Sequence, residues 1–333
     1  MKIANGFATP RIAALALAAC CLAGAPLASA QTGAYPSRPI KFIVPLIPGG
    51  GNDLLARVIA ERMGPAVNQP VVVENKPGAG GNVGTEYVAR QPADGYTILI
   101  TSPTHVINPA FYLKLPYDPI RDFMPISLIA TIPFVLTVNA SVPARNVKEL
   151  IALARSQPGK FTYGTAGVGT PHHLSIEMLR SATGIDVVHV PYKGAGALVP
   201  ALVAGEITMT IGALSSLLPH IQSGRLRALG TAAIARTPAL PDVPSIADAA
   251  GLPGFDMVSW FGVLAPAGTP PAIVGRLTME INRIIQNPQV AKERLAPVGL
   301  EPVGTSAEAF ADVLKTELVK YAKVAKEAGI KPE

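Results

Sequence analysis

Three features of the 333-residue chain predict an α/β fold with mostly parallel sheets. Short apolar runs alternate with amphipathic helical patterns along nearly the whole length. Glycine-rich loops join several of those runs to the helices behind them, as happens at the carboxyl ends of parallel strands. Proline, at 33 residues, is spread through the chain, so it punctuates elements and does not mark a disordered tract.

The elements follow in order. Apolar runs at 40–45, 71–74, 96–100, 126–129, 161–165, 187–190, 207–211 and 226–230 read as strands. Helical periodicity covers 53–63, 83–91, 147–156, 172–182, 196–204, 214–222, 271–286 and 306–326. Asn146-Val147-Lys148-Glu149 and Thr305-Ser306-Ala307-Glu308 read as capping boxes, in which side chains satisfy the free N–H groups of a first turn. Phe310, Leu314, Leu318 and Tyr321 form the core-facing stripe of the last helix. Residues 130–145 and 257–271 are extended and proline-bracketed, and they flank one helix–strand array. The chain is therefore expected to cross into a second lobe and return.

Residues 1–30 read as a cleaved signal peptide. Lys2 and Arg11 are cationic, residues 12–28 are apolar, and Ala28-Ser29-Ala30 suits a signal peptidase, leaving Gln31 first. A membrane anchor and a lipoprotein are the rival readings; Leu17-Ala18-Ala19-Cys20 resembles a lipidation site. Both cysteines lie in this leader, so the cleaved chain has no disulfide, thiolate metal site or cysteine nucleophile. The chain carries 28 Lys and Arg against 22 Asp and Glu, a net charge of +6. The leader holds two of those cations and no acid, which leaves +4. The charges are scattered, so no nucleic-acid partner is expected. The weak positive field favours small anions.

Two loops carry the functional reading. Pro48-Gly49-Gly50-Gly51-Asn52-Asp53 and Gly164-Thr165-Ala166-Gly167-Val168-Gly169-Thr170-Pro171 each leave a strand and open a helix. Such a loop aims backbone N–H groups and the positive end of the helix dipole at one spot, which binds anions. Two facing loops would clamp a small carboxylate or phosphate. Thr165 and Thr170 could add hydroxyl donors, and Thr170 with Pro171 suits the N-cap and first helical positions. Gly164, Gly167 and Gly169 exceed what a cap requires and leave the backbone open to a ligand. Asp53 has two readings: a first-turn acid that offsets the dipole, or a partner for an ammonium or a pocket water.

The loops at 75–82 and 191–196 are also glycine-rich, and Tyr192 and Lys193 could supply an aromatic wall and a cation. No Gly-Lys-Ser/Thr P-loop and no dinucleotide fingerprint is present. His172 and His173 are adjacent and cannot share a helix face as zinc ligands do, so no metal or other cofactor is expected. Ser102 and His105 follow a strand; they read as hydrogen-bonding residues, or as the core of a hydrolase without G-x-S-x-G.

At these residues the chain resembles a known family. Arg38-Pro39-Ile40, Val44-Pro45 running into Pro48-Gly49-Gly50, Asp53 with Arg57, and Glu74-Asn75-Lys76-Pro77-Gly78-Ala79-Gly80-Gly81 carry the likeness. So do Ala93-Asp94-Gly95-Tyr96-Thr97, Val190-Pro191-Tyr192-Lys193-Gly194, Pro238-Ala239-Leu240-Pro241-Asp242-Val243-Pro244 and Gly299-Leu300-Glu301-Pro302-Val303-Gly304. Across residues 36–330 the chain is similar to the Bug-type periplasmic solute receptors of tripartite tricarboxylate transporters. The resemblance implies a two-lobed periplasmic binding protein of type II, with lobe 1 at 31–138 plus 264–333 and lobe 2 at 139–263. It implies a monomeric, non-enzymatic periplasmic receptor that hands a carboxylate to membrane permease subunits.

The resemblance also places the ligand between Pro48–Asp53 and Thr165–Pro171. The ligand-contacting set is then Leu46, Pro48, Gly49, Gly50, Asn52, Asp53, Ser102, His105, Thr165, Ala166, Gly167, Gly169, Thr170, His172, Tyr192 and Gly212. The chain departs from the family pattern at Leu46, where an aromatic is common, and at Asn52, where Thr is. Thr208 and Gly212 stand where acids are usual. If those positions line the cleft, the pocket is roomier and less negative, which favours a dicarboxylate, perhaps an aromatic one, over an amino acid. Two other functions share the sequence evidence: a ligand-presenting partner of a membrane sensor kinase, and an exported hydrolase using Ser102, His105 or His172.

Overall fold

The computed structural model describes residues 1–2, 35–234, 236–237, 239–327, 329–330 and 332. The expected leader, apart from Met1 and Lys2, and Cys20 with it, lie outside the described residues. The chain divides into two units, Met1–Ser37 and Arg38–Glu333, and the second holds the fold described below.

In chain order the elements are β1 (Ile40–Val44), α1 (Gly51–Val67), β2 (Val71–Asn75), α2 (Asn82–Ala89), β3 (Thr97–Thr101) and β4 (Phe123–Asn139). There follow α3 (Val147–Ser156), β5 (Phe161–Thr165), α4 (Pro171–Thr183), β6 (Val187–Pro191), α5 (Ala195–Ala204), β7 (Met209–Ala213) and α6 (Leu214–Gln222). The chain ends with β8 (Leu226–Thr231), α7 (Ile246–Ala250), β9 (Val258–Pro266), α8 (Pro271–Ile285), β10 (Glu301–Pro302) and α9 (Ala307–Glu327).

Two sheets, each with its helices, make two lobes. The first has the order β2-β1-β3-β9-β4, with β10 on the free side of β4; the second runs β4-β7-β5-β6, with β8 on the free side of β4. β4 belongs to both. It pairs with β9 as far as Pro133↔Val258, and with β7 and β8 from Phe134↔Ala213 and Val135↔Thr231. The extended stretch expected at 130–145 is the second half of this 17-residue strand, and the one at 257–271 contains β9.

The pairing corrects the expectation of mostly parallel sheets. β1 pairs in parallel with β2 and β3, and β5 with β6 and β7; every pair that includes β4 or β9 is antiparallel. These two strands carry the chain in opposite directions, so they lie side by side antiparallel. Their burial is nearly continuous, and helices α5, α6, α8 and α9 pack against β4. That continuity hid the full length of β4, whose pairing with β9 also shifts register twice.

The capping boxes resolve differently. Asn146 accepts the Glu149 N–H at 2.9 Å, and the Glu149 carboxylate accepts from Asn146 Nδ2 at 2.7 Å. At α9 the cap is Ser306, which accepts the Ala309 N–H at 3.2 Å, while Thr305 accepts the Leu128 N–H at 3.0 Å. The cap is therefore one residue later than expected, and with Ala309 at the third helical position it is a single side-chain cap and not a reciprocal box.

Candidate functional site

Both glycine loops sit where sequence places them, at the carboxyl ends of β1 and β5 and at the mouths of α1 and α4. One belongs to each sheet. Neither helix is capped by a side chain. The α1 N-cap is Gly50, and the α4 N-cap, Thr170, donates its hydroxyl to Gly167 O at 2.7 Å instead of accepting a first-turn N–H. The first-turn amides of both helices thus lack the usual side-chain acceptor, which leaves them to an anion.

A brace of side chains fixes the first loop. Asp53 Oδ2 accepts the Gly49 N–H at 3.0 Å, and its two oxygens take a fork from Arg57 at 3.0 Å each. Arg57 also reaches Asn75 Oδ1 at 3.3 Å, and Asn75 Nδ2 donates to Leu46 O at 3.1 Å. The Arg57 guanidinium holds the Asp53 carboxyl below the usual range. Both Asp53 oxygens are therefore engaged, Oδ2 by Gly49 and Arg57 and Oδ1 by Arg57. Leu46 is half-buried, and Pro48 and Gly50 are exposed on the rim.

The second loop is held from behind by a buried aromatic and ionic network. Thr165 Oγ1 pairs with His189 Nε2 at 2.7 Å and bonds across the loop to Gly167. His189 stacks on His173 with ring centroids 4.2 Å apart, and on Tyr163 at 4.8 Å. Tyr163 donates to Glu177, which also takes two bonds from Arg180 at 2.7 and 2.9 Å. Gly169 N–H donates to His173 Nδ1 at 3.4 Å. Burial, with His189 adding to it, pulls the His173 imidazole down to about 4, and burial also lowers His189. The Thr165 and Thr170 hydroxyls, expected as ligand donors, are thus used to shape the loop; Ala166 is half-buried between them. Gly164 is a packing glycine, since a Cβ there would stand 2.3 Å from Ile207 and Leu198.

Two polar side chains beside the loops stand apart. Asn52, the second residue of α1, is 2% exposed, and neither its Oδ1 nor its Nδ2 has a partner among the described residues. His172, the second residue of α4, is 8% exposed, and neither ring nitrogen has one. The His172 ring packs edge-on to Phe134 with centroids 4.9 Å apart, where β4 passes between the sheets. It also lies against Gly212, where a Cβ would come within 3.3 Å of Cδ2. The space opened by glycine at 212 is therefore filled by imidazole. Thr208 is remote from the loop mouth, bonded to the Thr162 N–H at the opposite end of β5.

Ser102 and His105 do not form a hydroxyl–imidazole pair. Ser102 Oγ bonds to Thr104 Oγ1 at 3.2 Å, and His105 Nε2 bonds to Pro119 O at 2.8 Å, its ring between Tyr117 and Phe123. Tyr192 packs on the core of the second sheet beside Leu198 and Ile207. Among the described residues, no group of three or more metal-ligating side chains could hold an ion. Phe111 escaped sequence reading. It sits on the segment after β3, yet a Cβ on Gly169 would touch its ring at 3.4 Å, and its centroid is 5.7 Å from that of His173. The aromatics of this proline-rich connection, Phe111, Tyr112 and Tyr117, follow no helical or strand period that would reveal such a bridge.

Two sheets joined by a shared long strand, with a glycine loop and an uncapped helix N-terminus at the end of β1 in one and of β5 in the other, are the frame of a two-lobed solute-binding protein. The particular family follows from sequence. Residues 55–330 match the model of the TctC family, the tripartite tricarboxylate transporter family receptors, and the chain belongs to that family. A UPF0065 protein encoded in the tcbD-tcbE intergenic region of a Pseudomonas species is 44% identical over 291 residues, 87% of this chain and 86% of that one. Among solved structures, an R. palustris protein with adipate is 37% identical with a TM-score of 0.81, covering 90% of this chain and 100% of that one. The periplasmic binding protein BugD is 33% identical with a TM-score of 0.78, over 90% and 100%. MatC from Rhodopseudomonas palustris with bound malate is 30% identical with a TM-score of 0.77, over 87% and 100%. Among the described residues, no helix is long and apolar enough to cross a membrane.

Proposed function

We propose that this chain is an exported, periplasmic receptor that captures a small carboxylate between its lobes and delivers it to a tripartite tricarboxylate-type membrane transporter. The observation that carries this reading is the pair of uncapped helix N-termini, α1 and α4, each behind a glycine loop and each on a different sheet. Backbone amides at both would take the oxygens of a ligand carboxylate, and closure of the lobes would remove it from water. The binding of adipate and malate by relatives of the same fold supports a dicarboxylate.

The ligand site of this reading comprises Gly49, Gly50, Asn52, Ala166, Gly167, Gly169 and His172, with Asp53, Thr165 and Thr170 holding the loops in shape. The strand pairing moves the lobe bounds from those expected: lobe 1 would take the chain up to Pro133 with residues 258–333, and lobe 2 residues 134–257, hinged where β4 and the chain before β9 cross. Native mass spectrometry of the purified protein tests the proposal. A retained small carboxylate, displaced stoichiometrically by added dicarboxylate, is the expected result. Failure of calorimetry to detect any mono-, di- or tricarboxylate would sink it.

A further inference from the structure

The two side chains left unpaired at the loops have a combined hydrogen-bonding capacity that a simple dicarboxylate does not match. Asn52 and His172 occupy the same position, the second residue of an uncapped helix, one on each sheet. Both are more than nine-tenths buried, and all four of their polar side-chain atoms lack partners among the described residues. A buried polar atom left unmade is costly, and native proteins keep such atoms where a ligand completes them. Burial pulls His172 down to about 4, so at neutral pH its ring has one N–H and one acceptor nitrogen. The Asn52 amide likewise offers a donor, Nδ2, and an acceptor, Oδ1. Together the two side chains have three N–H donors and two acceptor atoms.

A dianionic dicarboxylate has acceptors alone. It would satisfy Asn52 Nδ2 and the His172 N–H and leave Oδ1 and the second ring nitrogen orphaned. A ligand O–H or N–H donates to one of these two acceptors, and a hydroxyl also accepts from a neighbouring N–H, which a dianion cannot match. An ammonium would need a carboxylate, and the two acids near the loops are occupied: Asp53 by Arg57 and Gly49, Glu177 by Arg180 and Tyr163. Gly212 secures the arrangement, because a side chain there would push the His172 ring from its place beside Phe134.

We propose that Asn52 and His172 read a hydroxyl on the ligand, so that the receptor selects hydroxylated dicarboxylates over their unsubstituted parents. The inference rests on the carboxylate-capture reading above. It assigns these two side chains the discrimination that backbone amides, which hold any carboxylate end, lack.

Calorimetry with matched pairs tests it: succinate against malate, glutarate against 2-hydroxyglutarate, and adipate against 2-hydroxyadipate. For whichever chain length fits, the hydroxylated member is expected to bind at least tenfold more tightly to the wild type. In His172→Phe and Asn52→Leu the gap should shrink below threefold, while affinity for the parent dicarboxylate falls far less than that for its hydroxylated partner. Each variant also removes buried unsatisfied atoms without changing shape much, so each should melt above the ligand-free wild type, a shift that a purely structural role would not give. Equal affinity for both members of every pair would overturn the proposal and indicate that water fills the acceptors. So would a gap that survives in both variants. Binding of no member of any pair would overturn this inference alone; the carboxylate reading would fall only if mono-, tri- and aromatic carboxylates also failed to bind.

Discussion

Gly50 separates a binding role from a folding role more cleanly than any other residue of the first loop. Its backbone is extended, at φ −82° and ψ 175°, so a β-branched residue fits without strain. A Cβ built on it meets nothing within 4 Å. Gly50→Val should therefore lower folding stability by no more than ~1 kcal/mol, the usual cost of an apolar residue at an N-cap. The added isopropyl group nevertheless stands in front of the uncapped amides of α1. A hydrogen bond to a charged group contributes about 1.5–3 kcal/mol. Loss of two such bonds to one carboxylate gives ~3–6 kcal/mol, or roughly 10²- to 10⁴-fold in Kd. Urea denaturation would measure the first quantity, and calorimetry with the co-purified ligand the second. Gly51→Ala, one residue on, provides the contrast: its Cβ would come within 2.5 Å of Phe261 Cζ, so it should destabilise the fold by ~1–3 kcal/mol. A Gly50→Val protein that is stable and binds within threefold of wild type would refute the reasoning and remove this loop from the site.

Three other expectations concern the support around the loops. Glu177→Ala leaves Arg180 and the Tyr163 hydroxyl without their carboxylate and should lower stability by ~3–5 kcal/mol in urea denaturation; a loss below ~1 kcal/mol would show that the network is not load-sharing. His105 and His172 are pulled from 6.5 to about 4 by burial, so the unfolded chain binds more protons below pH 6.5 and their contribution to stability is lost between pH 6.5 and about 4. Each should account for ~2 kcal/mol of the difference between pH 7 and pH 5, and identical denaturation midpoints at the two pH values would contradict this. Phe111→Ala should weaken every ligand by a similar factor, because the ring bridges to Gly169 and His173 without a polar group to read the ligand; a selective effect in calorimetry would instead make it a specificity residue.

The sequence was most legible where local rules operate. The strand-to-helix loops, the Asn146 cap and most element positions follow from glycine placement, apolar runs and capping chemistry, each confined to a few residues. It was least legible where partners lie far apart in the chain. The antiparallel centre of the sheets depends on β4 meeting β9, more than a hundred residues away, and two continuous apolar strands carry no sign of their relative direction. The threonines at 165 and 170 show the same limit within the site. A hydroxyl beside an anion-binding loop suggests a ligand donor, yet His189 and Gly167 compete for it and prevail in this structure. Asn52 and His172 are the converse: the family resemblance puts both among the expected ligand contacts, but only the folded chain shows that burial leaves them without partners among the described residues.

The two loops reach the same geometry by different means, and the difference bears on how the site works. The first is braced by Asp53 and Arg57, and the Arg57 side chain is 54% exposed, so water and salt weaken that pair. The second rests on Tyr163, His173, Glu177 and His189, whose stacked rings and buried carboxylate are shielded from salt. On the proposed reading the second loop would be the stiffer jaw, prepared before the ligand arrives, and the first the more adjustable. Backbone amides on both can hold a carboxylate, but neither a rigid nor a yielding amide distinguishes one acid from another. That distinction has to come from side chains that face the ligand with uncommitted polar atoms. In this chain Asp53, Thr165 and Thr170 are committed to their own loops. Asn52 and His172 are not, which is why specificity is assigned to them and shape to the others.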